Sequence, residues 1–71
     1  MPQQFAICLD NTGYAVSLEK GKMYQLIPDA DAASFGEVRI IDETGEHYLF
    51  SARRFAPIPL PQEVRDVLLA A

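Results

Sequence analysis

Four residues whose side chains could carry out acid–base or metal chemistry lie close together in the stretch RIIDETGEHYLF, residues 39–50. They are Asp42, Glu43, Glu46 and the chain's single histidine, His47. Carboxylates and imidazole transfer protons in enzymes and also bind divalent metal ions. The hypothesis of a reactive site therefore depends on how the surrounding elements position these groups.

The same stretch has the pattern of a β-hairpin, because β-branched and aromatic residues lie on both sides of a turn sequence. A three-residue hairpin loop needs a left-handed third residue, and Gly45 suits that position. The resulting register pairs Asp42 with Glu46 and places His47 on the opposite face of the hairpin. Because a durable zinc site needs four converging ligands, we predict a solvated turn here, with no metal ligand and no catalytic residue.

Further from the turn, this register also predicts which side chains face the core. Ile40 pairs with Tyr48, and Val38 pairs with Phe50. We expect these four side chains to point inward. The other face then carries a mixed, partly solvated set: Arg39, Ile41, His47 and Leu49.

Two further candidate sites are disfavoured by their surroundings. Asp29 and Asp31 resemble a fragment of a calcium loop, but the glycine and glutamate that complete such a loop are absent at the required offsets. We therefore predict that the two aspartates cap the loop in which they lie. Cys8 lies in an apolar run, where thiols are usually buried and inert, and we predict that it packs in the core. We therefore predict a protein that is not an enzyme and binds no cofactor.

The overall composition limits the classes of partner. Ten acidic and six basic residues give a net charge of −4, which disfavours binding to phosphate backbones and anionic membranes. A single cysteine cannot form an internal disulfide, as is typical of proteins in a reducing compartment. The N-terminal sequence has no basic region and no long apolar run, so we predict no signal peptide, no membrane span and a cytoplasmic location.

The order of apolar runs and turn residues indicates a mainly β chain. Pro28 ends one run, and the segment DADAASFG at residues 29–36 can be a loop or one helical turn, of which we favour the loop. Residues 51–54 suit a short turn. Five strands are indicated at residues 5–9, 23–27, 37–41, 47–50 and 55–58, with a further extended piece at residues 14–18.

A short helix is predicted at about residues 61–70. Pro61 suits the first helical position, and Glu63 suits the positive end of the helix dipole. We expect the helix to dock on the strands, where burial of each large apolar side chain contributes about 1.5–3 kcal/mol. One face carries Leu60, Val64, Val67, Leu68 and Ala71, of which Val64, Val67 and Leu68 are expected to be buried.

The length of 71 residues suits a single domain, residues 1–71. Short strands at close spacing, with turn signals between them, are typical of a small antiparallel barrel. The predicted fold class is therefore mainly β, with a barrel at about residues 5–58 and a C-terminal α-helix at about residues 61–70.

Three segments in succession resemble the SH3 fold. KGKMYQLI (residues 20–27), EVRIIDETGEHYLF (37–50) and SARRFAPI (51–58) follow the order of its diverging turn, distal hairpin and last strand, and AICLD (6–10) resembles its ALYDY stretch. More closely, the chain resembles small bacterial SH3-like β-barrel proteins of uncharacterised function that end in a short helix. The resemblance implies an SH3-like antiparallel barrel of about five strands.

The departures from SH3 domains lie in the peptide groove, which those domains line with aromatic rings that pack on polyproline helices. Gly36 and Glu37 replace the tryptophan pair of that family, Ser51 replaces its groove proline, and Arg54 replaces its groove tyrosine. We therefore expect the SH3-like architecture without recognition of PxxP segments.

The function that these observations favour is a non-enzymatic protein-interaction or regulatory module. Its binding surface would be the rim formed by the loops at residues 10–17 and 29–36 together with Arg53 and Arg54, where an arginine could clamp a carboxylate of the partner. The candidate partner-binding residues are Arg53, Arg54, Glu37, Tyr14, Asp29 and Asp31.

Two alternatives stay open. A barrel that binds RNA or DNA would use a local basic patch drawn from Lys20, Lys22, Arg39, Arg53 and Arg54, although the net charge makes nucleic acid the less favoured partner. The apolar face of the C-terminal helix, with Leu69 exposed, could instead pair with a second copy. We accordingly expect a monomer or a weak homodimer.

Overall fold

The computed structural model describes residues 4–70, which form an open antiparallel sheet of five strands accompanied by two helices. The elements in chain order are β1 (Gln4–Cys8), β2 (Met23–Ile27), α1 (Ala30–Ser34), β3 (Glu37–Ile41), β4 (His47–Ser51), a 3₁₀ turn (Ala52–Arg54), β5 (Phe55–Ile58) and α2 (Gln62–Ala70). The strands lie in the order β4-β3-β2-β1-β5, so β4 and β5 are the edges. The predicted mainly β chain with a C-terminal helix is confirmed, and the sheet is not closed.

The β3–β4 hairpin has the predicted register. Every pair from Ile41 with His47 to Val38 with Phe50 is observed. At the turn, the Asp42 N–H donates to the Glu46 carbonyl and the Gly45 N–H donates to the Asp42 carbonyl, both at 3.0 Å. Gly45 has a φ of +85°, the left-handed conformation that the three-residue loop requires.

Replacing Gly45 with alanine is expected to lower the free energy of unfolding by about 1–2 kcal/mol, the cost of a left-handed L-residue. A Cβ at this position would meet no atom within 4 Å, so the loss reports backbone strain alone. Urea denaturation measures it, and Gly45→Asn is the matched control, because asparagine tolerates the left-handed region better. An alanine variant as stable as the natural chain would contradict this turn.

The core lies against one face of the sheet. Three aromatic rings meet there, with Phe55 at ring-centroid distances of 6.3 Å from Tyr24 and 5.9 Å from Phe50. Cys8 is 1% exposed, which confirms its predicted place in the core. The buried cluster consists of Ala6, Cys8, Leu18, Tyr24, Leu26, Ile40, Phe50 and Phe55, with Val38 packed against it.

The prediction of an extended piece at residues 14–18 is wrong. The Tyr14 carbonyl accepts hydrogen bonds from the N–H groups of Ser17 (2.9 Å) and Leu18 (2.8 Å), which closes a tight turn instead. This turn buries Leu18 in the core and brings the Tyr14 ring edge-on to Phe50, with the ring centroids 5.1 Å apart. Tertiary packing has therefore overridden the β propensity of this short segment.

The loop favoured at residues 29–36 is replaced by α1, a helix of five residues. Asp29 caps it, because its side chain accepts a hydrogen bond from the Ala32 N–H at 3.0 Å. Gly36, with a φ of +71°, then directs the chain into β3. Asp29 therefore has the predicted capping role, in a helix and not in a loop.

Tyr48 does not join the core as predicted. It lies two residues from Phe50 on β4, yet its side chain is 48% exposed while Phe50 is 4% exposed. Because β4 is the edge of the sheet and has no neighbour on its far side, the inward face near the turn is left open to solvent.

Helix α2 is present as predicted but docks differently. None of its residues is buried, and Val67, expected in the core, is 69% exposed. The most covered residue of α2 is Arg65. Prolines at positions 57, 59 and 61 fix φ in the chain that leads into α2. Ala71 lies outside the described residues.

No helix within residues 4–70 has both the length and the apolar character needed to cross a membrane.

Candidate functional site

The acidic groups of the hairpin are separated and engaged in local bonds. Asp42 is buried, so the prediction of a solvated turn is wrong for this residue. Its Oδ1 accepts hydrogen bonds from the N–H (2.9 Å) and hydroxyl (2.5 Å) of Thr44. Glu46 accepts a hydrogen bond from the Tyr48 hydroxyl at 2.7 Å. His47 lies beside Arg39, whose Nη1 is 3.0 Å from the imidazole Nδ1. Between residues 4 and 70, no three His, Cys, Asp or Glu side chains converge as a metal site would require.

Glu43 instead connects the hairpin turn to β2. Its Oε2 accepts hydrogen bonds from the Lys22 ammonium and the Tyr24 hydroxyl, each at 2.6 Å. The Tyr24 hydroxyl also accepts a hydrogen bond from the Glu19 N–H at 2.7 Å. Burial, and then the hydrogen bond to Glu43, raise the pKa of Tyr24 to about 12. The network has a structural role, because each of its polar groups already has a partner within it.

Removing the Glu43 carboxylate is expected to weaken the dependence of stability on acid pH. The hydrogen bond from Lys22, and then that from Tyr24, lower the pKa of Glu43 below its ordinary 4.5. A carboxylate with a lowered folded pKa stabilises the protein above its ordinary pKa, and the contribution is lost as the pH falls through the folded value. Thermal unfolding between neutral pH and about pH 3 should therefore show a smaller decline for Glu43→Gln than for the natural chain.

The matched control for that measurement is Glu46→Gln, which removes one negative charge from the same turn without disturbing the Lys22–Tyr24 contacts. Equal declines in Glu43→Gln and the natural chain would show that the Glu43 network does not contribute to acid sensitivity.

Arg54 and Tyr14, two of the predicted binding residues, are brought into direct contact. The Arg54 Cζ lies 4.7 Å from the centre of the Tyr14 ring, in a cation–π arrangement. The Arg54 Nη1 also donates to the Asp10 carbonyl at 3.2 Å and lies 3.9 Å from the Asp10 carboxylate. Because these contacts leave the Arg54 side chain 23% exposed, its main role is to hold the loop at residues 10–17 against the sheet.

Arg53 has a different environment from its neighbour. Its side chain is exposed and makes no hydrogen bond or ion pair with another residue in the described range, 4–70. Its backbone is fixed, because the Arg53 N–H lies 3.3 Å from the Ser51 Oγ that accepts its hydrogen bond. Arg53 therefore presents a solvated guanidinium from a rigid turn.

Phe35 lies close to this turn and was not identified from the sequence. The Ala52 N–H donates to the Gly36 carbonyl at 2.9 Å, which joins the end of α1 to the 3₁₀ turn. The Phe35 side chain is 80% exposed, and Glu37 pairs across the strands with Ser51. The one sequence feature that could identify Phe35 as a candidate binding residue is that it is aromatic, in a segment, DADAASFG, of otherwise small or polar residues.

The hydrogen bond between Ala52 and Gly36 places the end of α1 beside the 3₁₀ turn, where β3 begins and β4 ends. We group the residues of this region under the name Phe35–Arg53 surface, which consists of Phe35, Glu37, Arg53, Arg54 and Tyr14.

The two predicted aspartates lie outside the Phe35–Arg53 surface. Asp29 caps the opposite end of α1 and pairs with Arg39, with its Oδ2 2.9 Å from the arginine Nε. The Ala32 N–H, and then Arg39, lower the pKa of Asp29. Asp31 is exposed in the first turn of α1. Of the six residues predicted to bind a partner, Asp29 and Asp31 therefore lie apart from the other four, and the binding role of all six stays a prediction.

The chain matches no protein-family model, no curated protein and no solved structure. The case for a function therefore depends on the chemistry of the Phe35–Arg53 surface.

Proposed function

We propose that the protein is a non-enzymatic interaction module whose Phe35–Arg53 surface binds an acidic, apolar segment of a partner protein. The observation that carries the proposal is that the 80% exposed Phe35 and the solvated Arg53 lie on either side of the backbone hydrogen bond between Gly36 and Ala52. Aromatic residues and arginine are enriched at protein interfaces and dominate their binding energy. The aromatic ring would supply buried area, and the arginine would bind a carboxylate.

We further propose that the open sheet is an SH3-like scaffold, related to the small bacterial SH3-like proteins that the sequence resembles. The strand order, the tight hairpin between β3 and β4 and the 3₁₀ turn before β5 support this proposal. The Phe35–Arg53 surface then corresponds to the SH3 peptide groove. Arg54 stacked on Tyr14 leaves only part of the flat aromatic lining that polyproline recognition uses, so charge would replace proline as the recognised feature.

The pairing of the cations favours a protein partner over a nucleic acid. Lys22, Arg39 and Arg54 each lie within 4 Å of a carboxylate oxygen of the same chain, at 2.6, 2.9 and 3.9 Å. Their positive charge is therefore largely compensated locally. A chain with a net charge of −4 has little field left to attract a phosphate backbone.

Selection of random peptides displayed on phage against the immobilised protein tests the proposal. We expect the selected peptides to carry Asp or Glu near an aromatic or large aliphatic residue, and their affinity to fall with added salt, because the ion pair with Arg53 is exposed. A single-stranded RNA of mixed sequence, titrated at the same ionic strength, provides the comparison. Selection of PxxP peptides, selection of none, or tighter binding of the RNA would show the proposal to be wrong.

A further inference from the structure

The two edges of the sheet differ in their capacity to accept another strand. On β5, Pro57 pairs with Ala6 of β1, while Leu9 donates to the Arg54 carbonyl at 2.6 Å. Antiparallel pairs alternate between hydrogen-bonded and non-hydrogen-bonded, so the backbone nitrogen of Pro57 faces outward, where it cannot donate. Edge prolines of this kind prevent further pairing.

The β4 edge has no such protection. Its sequence, HYLFS, has no proline and no lysine, and four of its five residues are exposed. The hydrogen-bonded pair of Asp42 with Glu46 sets the alternation along the hairpin, so the backbone groups of His47 and Leu49 point away from β3. An exposed edge with free backbone donors and acceptors is a template for another strand.

We infer that β4 pairs antiparallel with β4 of a second copy of this chain, about a two-fold axis at Leu49. This register sets Leu49 opposite Leu49 of the second copy and His47 opposite its Ser51. The backbone groups that point away from β3 in one copy can then form hydrogen bonds with those of the other copy. It also covers apolar side chains that the single chain leaves in water, since Leu49 is 41% exposed and Tyr48 is 48% exposed. Tyr48 would then lie opposite Phe50 of the second copy.

Charge complementarity identifies a second copy as the occupant. An acidic residue, Glu46, precedes β4, and the solvated Arg53 follows it. Antiparallel pairing about Leu49 ends at His47 with Ser51 of the second copy, which brings Glu46 next to the 3₁₀ turn that carries Arg53 of the second copy. Two-fold symmetry repeats the ion pair. A peptide with unrelated charges would gain the backbone bonds but not this pair of ion pairs.

The interface is small, because it consists of one five-residue strand and its flanking side chains. Stable interfaces bury roughly 1,200–2,000 Å² in total, so we expect a weak dimer that dissociates on dilution. This inference does not rest on the proposed function, although Arg53 takes part in both.

Sedimentation equilibrium of the full chain, from micromolar to millimolar concentration, tests the inference. The apparent mass should rise from 7.9 kDa toward twice that value. Glu46→Lys and Arg53→Glu should each weaken the dimer about tenfold, through repulsion at both ends of the interface. The double variant Glu46→Lys with Arg53→Glu exchanges the charges and should restore the natural affinity.

Two further variants locate the interface. Leu49→Glu places two carboxylates at the axis and should abolish dimer formation, whereas Val67→Glu, on the similarly exposed face of α2, should leave it unchanged. The inference would be overturned by an apparent mass of 7.9 kDa at millimolar concentration. It would also be overturned if the double variant did not restore the affinity of the dimer, or if Val67→Glu, and not Leu49→Glu, abolished dimer formation. Phe35→Ala distinguishes this inference from the proposed function, because the variant should still form the dimer but should no longer bind the peptide.

Discussion

Replacing Phe50 with alanine is expected to remove at least about a quarter of the stability of the protein. Phe50 is 4% exposed and contacts the rings of Tyr14 and Phe55, at centroid distances of 5.1 and 5.9 Å. Truncation of a buried phenylalanine costs about 3–5 kcal/mol. A chain of 71 residues has a total free energy of unfolding of roughly 4–11 kcal/mol. If the free energy of unfolding of the natural chain lies at the lower end of this range, the variant should be partly or wholly unfolded.

Tyr48→Ala is the matched control for Phe50→Ala, because both residues lie on the same face of β4. Tyr48 is 48% exposed, so its truncation should cost less than about 1 kcal/mol. Urea denaturation at low protein concentration, where any dimer has dissociated, measures both variants. Similar losses for the two would contradict the placement of the core around Phe50.

The second large effect is expected on binding. Phe35→Ala should weaken the affinity for a peptide from the display selection about 30-fold or more, since a central aromatic residue at an interface contributes about 2 kcal/mol or more. The melting temperature should not change, because the side chain is 80% exposed in the free protein. Isothermal titration calorimetry and thermal unfolding of the same samples separate the two effects.

Val67→Ala is the control for Phe35→Ala, since it removes a side chain that is 69% exposed on α2. It should bind the peptide as the natural chain does. An equal loss of affinity in the two variants, or none in Phe35→Ala, would remove Phe35 from the binding surface. Arg53→Ala should also weaken binding, and more strongly at low salt.

The parts of the fold that were predictable from sequence are those that local chemistry determines. Gly45 and the alternation of residues on both sides of it specify a turn and, with it, the whole register of the β3–β4 hairpin. Pro28 and Pro61 mark the end of β2 and the entry to α2. In each case a single residue restricts the local backbone, and the predicted turn or element boundary is observed at that residue.

The parts that could not be predicted depend on contacts between distant residues. Tyr14 and Leu18 have ordinary β propensity, yet the chain forms a turn there and packs the Tyr14 ring against Phe50. The exposure of Tyr48 follows from the position of β4 at the edge, which its own sequence does not reveal. The exposure of Val67 on α2 likewise departs from what the apolar periodicity of the helix predicts.

In the candidate site, too, some features depend on distant contacts that the local sequence does not predict. Arg53 and Arg54 are adjacent in sequence and look equivalent, yet Arg54 is held by Tyr14 and Asp10 while Arg53 remains solvated. Phe35 lies in the segment DADAASFG, whose small and polar residues favour a loop and do not indicate a binding residue. Its proximity to the 3₁₀ turn follows from the hairpin register, which pairs Glu37 with Ser51 and continues in the hydrogen bond between Ala52 and Gly36.

The most direct test of the proposed binding surface is the change in backbone amide chemical shifts when a selected acidic peptide is added to isotope-labelled protein. We expect the largest changes at residues 35–37 and 51–54, with smaller ones near Tyr14. Largest changes on α2 or at the Asp42–Glu46 turn, with residues 35–37 and 51–54 unaffected, would contradict the assignment of function to the Phe35–Arg53 surface.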